Sequence, residues 1–196
     1  MTDRVPLDFR LALPTDAAAI ASLVNAAYRG DEGRAGWTHE MHLIEGERTD
    51  ADEVRRLVAM PDTVMLLGVV EGGIAASVLL QRQSDAAYFG MFVVQPQLQA
   101  AGLGRRMIAA AEDYAWRTWD ARRLKLTAIH LRPELIAYYE RRGFRRTGEL
   151  VPFPAEAAAR AKVDGIELAV LEKLLGPASP CVQSWPVGLP NTSSSR

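Results

Sequence analysis

One stretch limits the fold more than any other: Gly90-Met91-Phe92-Val93-Val94-Gln95-Pro96, followed by Gln99-Ala100-Ala101-Gly102-Leu103-Gly104-Arg105-Arg106. It reads as a buried apolar strand, a tight turn, a glycine-containing loop and the first turn of a helix. Such a loop can turn several backbone N–H groups toward one point. The helix offers its own unpaired N–H groups and the positive end of its dipole there. That arrangement holds a phosphate or pyrophosphate without a large cationic side chain. Gly102 and Gly104 let the main chain approach an anion closely, because no Cβ intervenes. The same residues also suit an ordinary strand–loop–helix corner, and the segments that follow weigh against that plainer reading.

At 196 residues the chain suits one domain with a proper core. A formal net charge of −1 makes no electrostatic case for nucleic acid or an anionic membrane surface. No apolar run reaches bilayer-spanning length, and Met1-Thr2-Asp3-Arg4 lacks the apolar core of a secretory signal. The single cysteine, Cys181, cannot close an internal disulfide, so a cytoplasmic setting is the expectation. His39, His42 and His130 are scattered, and no Cys/His cluster has metal-ligand spacing, so no metal is expected.

Phe9–Leu13 is a strand candidate, and Pro14-Thr15-Asp16 opens a helix with Ala17, Ile20, Leu23, Val24 and Ala27 at helical spacing. Residues 28–49 read as a long functional loop with a short helix near Glu40–Ile44. Asp50 to Met60 reads as a second helix, ended by Pro61. Three strands follow, Thr63–Val70, Ile74–Gln81 and Ala87–Val94, with Glu71-Gly72-Gly73 as a hairpin signal. Leu103–Thr118 is a helix, Leu124–Ile129 a strand, and Pro133–Arg142 a helix with proline just inside its start and Gly143 just past its end. Phe144–Gly148 and Ile166–Leu171 look like closing strands. The expected organisation is one domain over residues 1–175 and a disordered Pro/Ser-rich tail over 176–196.

Strands with interspersed helices in this order give an α/β (α+β) sheet with helices on both faces. At this point two motifs carry a resemblance. Val94-Gln95-Pro96 with Gln99-Ala100-Ala101-Gly102-Leu103-Gly104 resembles the acyl-CoA loop of the GNAT superfamily of N-acetyltransferases. Pro133-Glu134-Leu135-Ile136-Ala137-Tyr138-Tyr139-Glu140-Arg141-Arg142-Gly143-Phe144 resembles that family's next helix, where a Tyr-Glu pair precedes Gly-Phe. The resemblance implies a mixed, mostly antiparallel sheet whose strands Ala87–Val94 and Leu124–Ile129 are parallel and splayed. It implies acetyl-CoA as acyl donor, held by Phe92, Val93, Val94, Gln99, Ala100, Ala101, Gly102, Leu103, Gly104 and Arg105. Gly90 fits a bulge or a close-packing position in the splayed strand. Arg132 stands where many family members carry an asparagine that touches the pantetheine arm.

Acetyl transfer from a thioester to an amine needs a neutral amine, a stabilised oxyanion and a proton for the departing thiolate. Tyr139 matches the family's helix tyrosine and is the expected donor, with Tyr138 as rival. A backbone N–H at Val94 or Phe92 would face the oxyanion. No cysteine lies in the motif region, which favours direct attack in a ternary complex over a covalent route. The strand Ala87–Val94 holds no carboxylate to act as base. Asp31, Glu32, Glu45, Glu47 and Glu149 are the alternatives, acting through water. Arg105, Arg106, Arg141 and Arg142 are candidates for the CoA phosphates.

The loop after the first helix mixes acids, arginines and aromatics, which suits a small polar or zwitterionic amine. Tyr28, Arg29, Trp37 and Glu45 are its candidate acceptor-binding residues. The expected state is a monomer or homodimer, with a small-molecule amine as partner and neither nucleic acid nor membrane. A non-catalytic acyl-CoA-binding module and a protein or peptide N-acetyltransferase remain open. A P-loop kinase is disfavoured, because no Lys-Ser/Thr follows Gly104.

Overall fold

Hairpins dominate the first half of the sheet. The computed structural model describes residues 5–29, 40, 42–99 and 101–176. Its strands are β1 (Asp8–Leu11), β2 (Thr63–Val70), β3 (Gly73–Gln83), β4 (Ala86–Val94), β5 (Arg123–Ile129), β6 (Arg145–Pro152) and β7 (Glu167–Leu174). Its helices are α1 (Ala17–Arg29), α2 (Ala51–Ala59), α3 (Leu103–Trp119), α4 (Pro133–Glu140) and α5 (Ala155–Ala158). The strands form one sheet in the order β1-β2-β3-β4-β5-β7-β6, antiparallel throughout except for the parallel pair β4–β5. Between β2 and β3, Glu71 and Gly72 both take positive φ (+50° and +80°), the turn whose twist matches that of paired strands.

The central strands are apolar on both faces because helices cover both. Leu66, Val78, Leu80, Phe89, Phe92 and Val94 pack on the side of α3 and α4. Met65, Leu67, Leu79, Met91 and Val93 pack against Ile20, Val24 and Ala27 of α1 and Val54 of α2. The helical spacings read from the sequence are the buried ones. Asp50 caps α2 by accepting a hydrogen bond from the Glu53 N–H at 2.7 Å.

Two local readings need correction. The short helix expected near Glu40–Ile44 is a turn, with the Leu43 and Ile44 N–H groups donating to the Glu40 carbonyl. Leu43 and Ile44 are buried with Ile129 and Ile166, and Ile44 forms a strand-like bridge to Ala161, which stops helical continuation. The closing strands are longer than expected, and in the sheet β7 lies between β5 and β6. A bulge between Arg146 and Leu150, with Gly148 at φ +89°, lets β6 run on to Pro152.

The feature that positions the site is the parting of β4 and β5. They pair only at Ala86↔Arg123, Ala87↔Leu124 and Tyr88↔Lys125. Beyond this, β4 stays with β3 as far as Val94, while β5 stays with β7 as far as Ile129. A bulge sits in β4 at the parting, where the step from Gly90 to Val93 faces the shorter step from Leu79 to Ser77. Met91, not Gly90, takes the left-handed conformation there (φ +45°). Gly90 is required for a different reason: a Cβ on it would lie 2.7 Å from Cε1 of Tyr88.

Candidate active site

A cavity of about 610 Å³ opens where the two strands part. Tyr88 to Phe92 of β4 form one wall and Thr127 to Ile129 of β5 another; Tyr28 and Arg29 close it from α1, and Tyr139 from α4. The Tyr88 hydroxyl lies 3.1 Å from Thr127 Oγ1, bridging the two strands just past their last pair.

Strand alternation decides which main-chain groups face this gap. The Gln95 N–H donates to the Ala75 carbonyl on β3 at 2.8 Å, so Val93 also turns toward β3. Phe92 and Val94 therefore present their polar groups to the open side. Two side chains reach them there: Gln99 Nε2 donates to the Val94 carbonyl at 3.0 Å, and the Tyr28 hydroxyl makes a long contact of 3.5 Å to the Phe92 carbonyl. Val93 is not brought to the gap, and its side chain packs toward α1.

The loop leads from Val94 to the start of α3. Gly102 is the N-cap residue at φ +78°, and no side chain caps this 17-residue helix. A Cβ added to Gly102 would meet nothing within 4 Å, so the main chain is open to a ligand. Ala101 and Arg105 are exposed, and among the described residues Arg105 has no side-chain partner. Leu103 is buried in the core, and Ala100 lies outside the described residues. A Cβ on Gly104 would lie 2.5 Å from the Tyr138 hydroxyl, so α4 packs directly on the first turn of α3.

The basic residues weighed for phosphate binding divide. Arg106 donates to the carbonyls of Val5 and Leu7 at 2.6 and 3.1 Å, tying the chain before β1 to α3. Arg142 donates to the Tyr138 carbonyl at 2.7 Å and lies 3.3 Å above the Tyr138 ring. Arg132 is buried and its guanidinium pairs with Glu134. Arg105 and Arg141 remain, both exposed and without a side-chain partner among the described residues, and of the two Arg105 lies in the first turn of α3 beside the loop.

Tyr139 is buried, its ring meeting Tyr138 and Phe144 at centroid distances of 5.4 and 5.6 Å. Burial pushes its phenol well above the usual tyrosine range, so it stays protonated at neutral pH. Burial likewise pushes Tyr28 up to about 12, with the nearby Arg48 opposing. The two helix tyrosines therefore part: Tyr139 reaches the cavity and Tyr138 reaches Gly104.

On the side away from the loop, Arg29 and Glu40 form an ion pair of 2.7 Å, both side chains only 9% exposed. Arg29 Nε also donates to the Gly46 carbonyl at 2.8 Å. Glu45 is not brought in; it is exposed and pairs with Lys162 at 3.2 Å. Trp37, Asp31 and Glu32 lie outside the described residues, and Glu47 and Glu149 are exposed and absent from the cavity lining. Among the described residues the cavity's carboxylates are Glu40, Asp50, Glu53 and Glu156. Among the described residues no group of three His, Cys, Asp or Glu could hold a metal ion, and no helix is long and apolar enough to cross a membrane.

Sequence reasoning missed Tyr88, Glu40 and Arg48. Asn25 carried a readable signal for Arg48, as the lone amide on a mostly apolar helix. It accepts from the N–H groups of Arg48 and Thr49 at 2.8 and 3.2 Å and donates to the Thr49 carbonyl at 2.8 Å, anchoring the loop's end to α1.

Comparison with known proteins agrees with this geometry. Residues 18–144 match the model of the acetyltransferase (GNAT) family. A spermidine N-acetyltransferase from Vibrio cholerae, solved with CoA and spermine, superposes with a TM-score of 0.64 at 19% identity, over 86% of this chain and 95% of that one. An acetyltransferase of the GNAT family from Streptococcus pneumoniae superposes with a TM-score of 0.60 at 20% identity, over 87% and 100%. At such identities the likeness is one of fold. No curated protein matches the sequence.

Proposed function

The chain belongs to the acetyltransferase (GNAT) family and is an acyltransferase; we propose that it moves an acetyl group to the amine of a small polar molecule by direct attack in a ternary complex. One observation carries this reading: the gap between β4 and β5 holds Tyr139 in its wall, and β4 runs on from that gap through the loop to an N-terminus of α3 whose N-cap residue is Gly102.

The residues present fit a CoA thioester, because the main chain at Gly102 leaves room for a bulky anion and the N-cap glycine has no side chain to occupy the helix's first N–H groups. Ala101, Gly102, Leu103 and Gly104 would hold the diphosphate, with Arg105 beside them. Acetyl-CoA, when bound, supplies an acyl carbon activated as a thioester. The polar groups of Phe92 and Val94 face the gap and can pair with an extended arm as a neighbouring strand would. A main-chain N–H of this strand faces the oxygen on which negative charge develops.

Tyr139 holds its proton and offers it to the departing sulfur. Its phenol is a weaker acid than a thiol, whose ordinary pKa is about 8.5. The interaction is therefore a strong hydrogen bond to the thiolate more than a completed transfer. Among the described residues no cysteine lines the cavity, which favours direct attack by the amine.

The acceptor is a small amine lodged between α1 and the cavity floor, in contact with Tyr28 and Arg29. The working unit is one domain over residues 1–175, a monomer or homodimer in the cytoplasm. The test is release of free thiol from acetyl-CoA over a panel of small amines. Turnover above buffer with at least one amine is expected. Saturable CoA binding without turnover on any amine would replace the transferase with an acyl-CoA-binding module.

A further inference from the structure

We propose that the acceptor amine carries a carboxylate, and that Arg48 is the residue that selects it. The proposal rests on the transferase reading above and adds the chemical class of its substrate.

Arg48 is half-buried in the cavity wall, with its guanidinium 5.8 Å from the centroid of the Tyr28 ring. Its backbone is pinned to α1 by Asn25. Among the described residues it has no carboxylate partner and no side-chain hydrogen bond. A contact with an aromatic face lets a guanidinium sit against the wall without a counter-ion, leaving its fork of N–H donors directed at a ligand. Such a fork matches a carboxylate in two parallel hydrogen bonds.

The neighbouring charges sharpen the choice. Glu40 is neutralised by Arg29. Asp50 accepts from the Glu53 N–H, and Glu53 accepts from the Thr49 hydroxyl at 2.7 Å. Arg160 donates to the Glu47 carbonyl at 3.0 Å. Only Glu40 among the wall's acids is thus neutralised by an ion pair, and Arg48 faces no carboxylate partner among the described residues. Asp50, Glu53 and Glu156 keep their charge, with the exposed Arg56 near Asp50, so a polycationic amine is disfavoured chiefly because it would place a cation against Arg48. Tyr28 touches both ends of this span, its ring 5.8 Å from the Arg48 guanidinium and its hydroxyl 3.5 Å from the Phe92 carbonyl, so an anionic group held at Arg48 leaves an amine of the same small molecule near the gap.

The experiment compares kcat/KM for a set of amino acids, each as the free acid and as its carboxamide, with spermidine as polycationic control. The wild-type protein should favour the free acid over the carboxamide by tenfold or more and should use spermidine least. In Arg48→Gln that ratio should collapse toward one, and in Arg48→Lys part of it should return. A wild-type ratio of one or below, a preference for spermidine, or a ratio that survives Arg48→Gln would overturn the proposal. The wild-type ratio needs no variant, so poor folding of Arg48→Gln does not shelter the idea. Turnover with amines that lack a carboxylate but not with those that have one leaves the transferase standing and removes only the role of Arg48. Absence of thiol release with every amine removes both.

Discussion

The hydroxyl of Tyr88 meets that of Thr127 at 3.1 Å, and this single contact spans the two strands at the point where they separate. Tyr88 is the last residue of β4 to pair with β5, and Thr127 lies beyond its partner Lys125. The contact fixes the apex of the wedge that becomes the cavity. A net side-chain hydrogen bond of this kind contributes about 1 kcal/mol. Tyr88→Phe and Thr127→Val should therefore each lower the melting temperature by roughly 2–4 °C. The double variant should lose less than the sum, because both remove one bond. Strict additivity in thermal melts would show that the two hydroxyls do not act as a pair.

Gly90 owes its identity to the same tyrosine. With its hydroxyl held by Thr127, the Tyr88 ring cannot swing aside, and a Cβ at Gly90 would press on Cε1 at 2.7 Å. Gly90→Ala should cost about 1–3 kcal/mol through this overpacking. In a Tyr88→Ala background the obstacle is gone, and the same change should be nearly neutral. Urea unfolding of the four proteins reads the coupling directly; an equal cost in both backgrounds would place the strain elsewhere, in the bulge at Met91.

What could be read in the chain beforehand was whatever local chemistry determines. Glu71-Gly72 marks its turn because both residues need positive φ, and Pro133 and Gly143 bracket α4 for reasons of helix termini. Gly102 stands out as the residue at which a strand–loop–helix corner opens. The parts that escaped depend on partners distant in the chain. Tyr88 looks like any aromatic in a buried strand until β5 brings Thr127 to it. Glu40 reads as a loop acid until Arg29 takes it into a nearly buried pair. Glu45 lies only five residues on, yet it faces solvent and Lys162. The order β5-β7-β6 escapes for the same reason, since the closing strands are alike in local pattern and only the sheet decides which is central.

Gly102 separates two requirements that a single bulky substitution would confuse. Its φ of +78° disfavours any β-branched residue, while the space around its missing Cβ is open. Gly102→Asn keeps a residue type that tolerates the left-handed region and still extends a side chain into that space. Its folding stability should fall by about 1 kcal/mol or less, whereas its affinity for CoA should fall at least tenfold. Gly102→Val should lose both. Calorimetry with CoA on Gly102→Asn is the decisive measurement, and wild-type affinity there would remove this loop from diphosphate binding.

Tyr139→Phe removes one oxygen from a packed ring and leaves its apolar contacts in place. Turnover should fall tenfold or more with little change in acetyl-CoA affinity. Because burial holds the phenol well above its ordinary range, Tyr139 stays protonated through alkaline assays. The pH profile of kcat/KM should rise as the acceptor amine loses its proton, with no falling limb below pH 10 due to this residue. Unaltered turnover in the variant between pH 6 and 9, with chemistry rate-limiting, would exclude Tyr139 as the proton donor.

Tyr28 links the same tyrosine chemistry to stability. Its phenol is pushed up to about 12 by burial, against about 10 in an unfolded chain. Between these values the native protein keeps a proton that the unfolded chain has lost. The native state is the one that binds more protons, so stability is intact below pH 10 and declines as pH rises toward 12. A shift of two units corresponds to at most about 2.7 kcal/mol. Tyr139 acts in the same direction, so Tyr28→Phe should flatten the alkaline decline without abolishing it. Urea midpoints measured from pH 8 to 11.5 test this: a wild-type slope that matches the Tyr28→Phe slope would mean that Tyr28 ionises as freely in the folded protein as in the unfolded one.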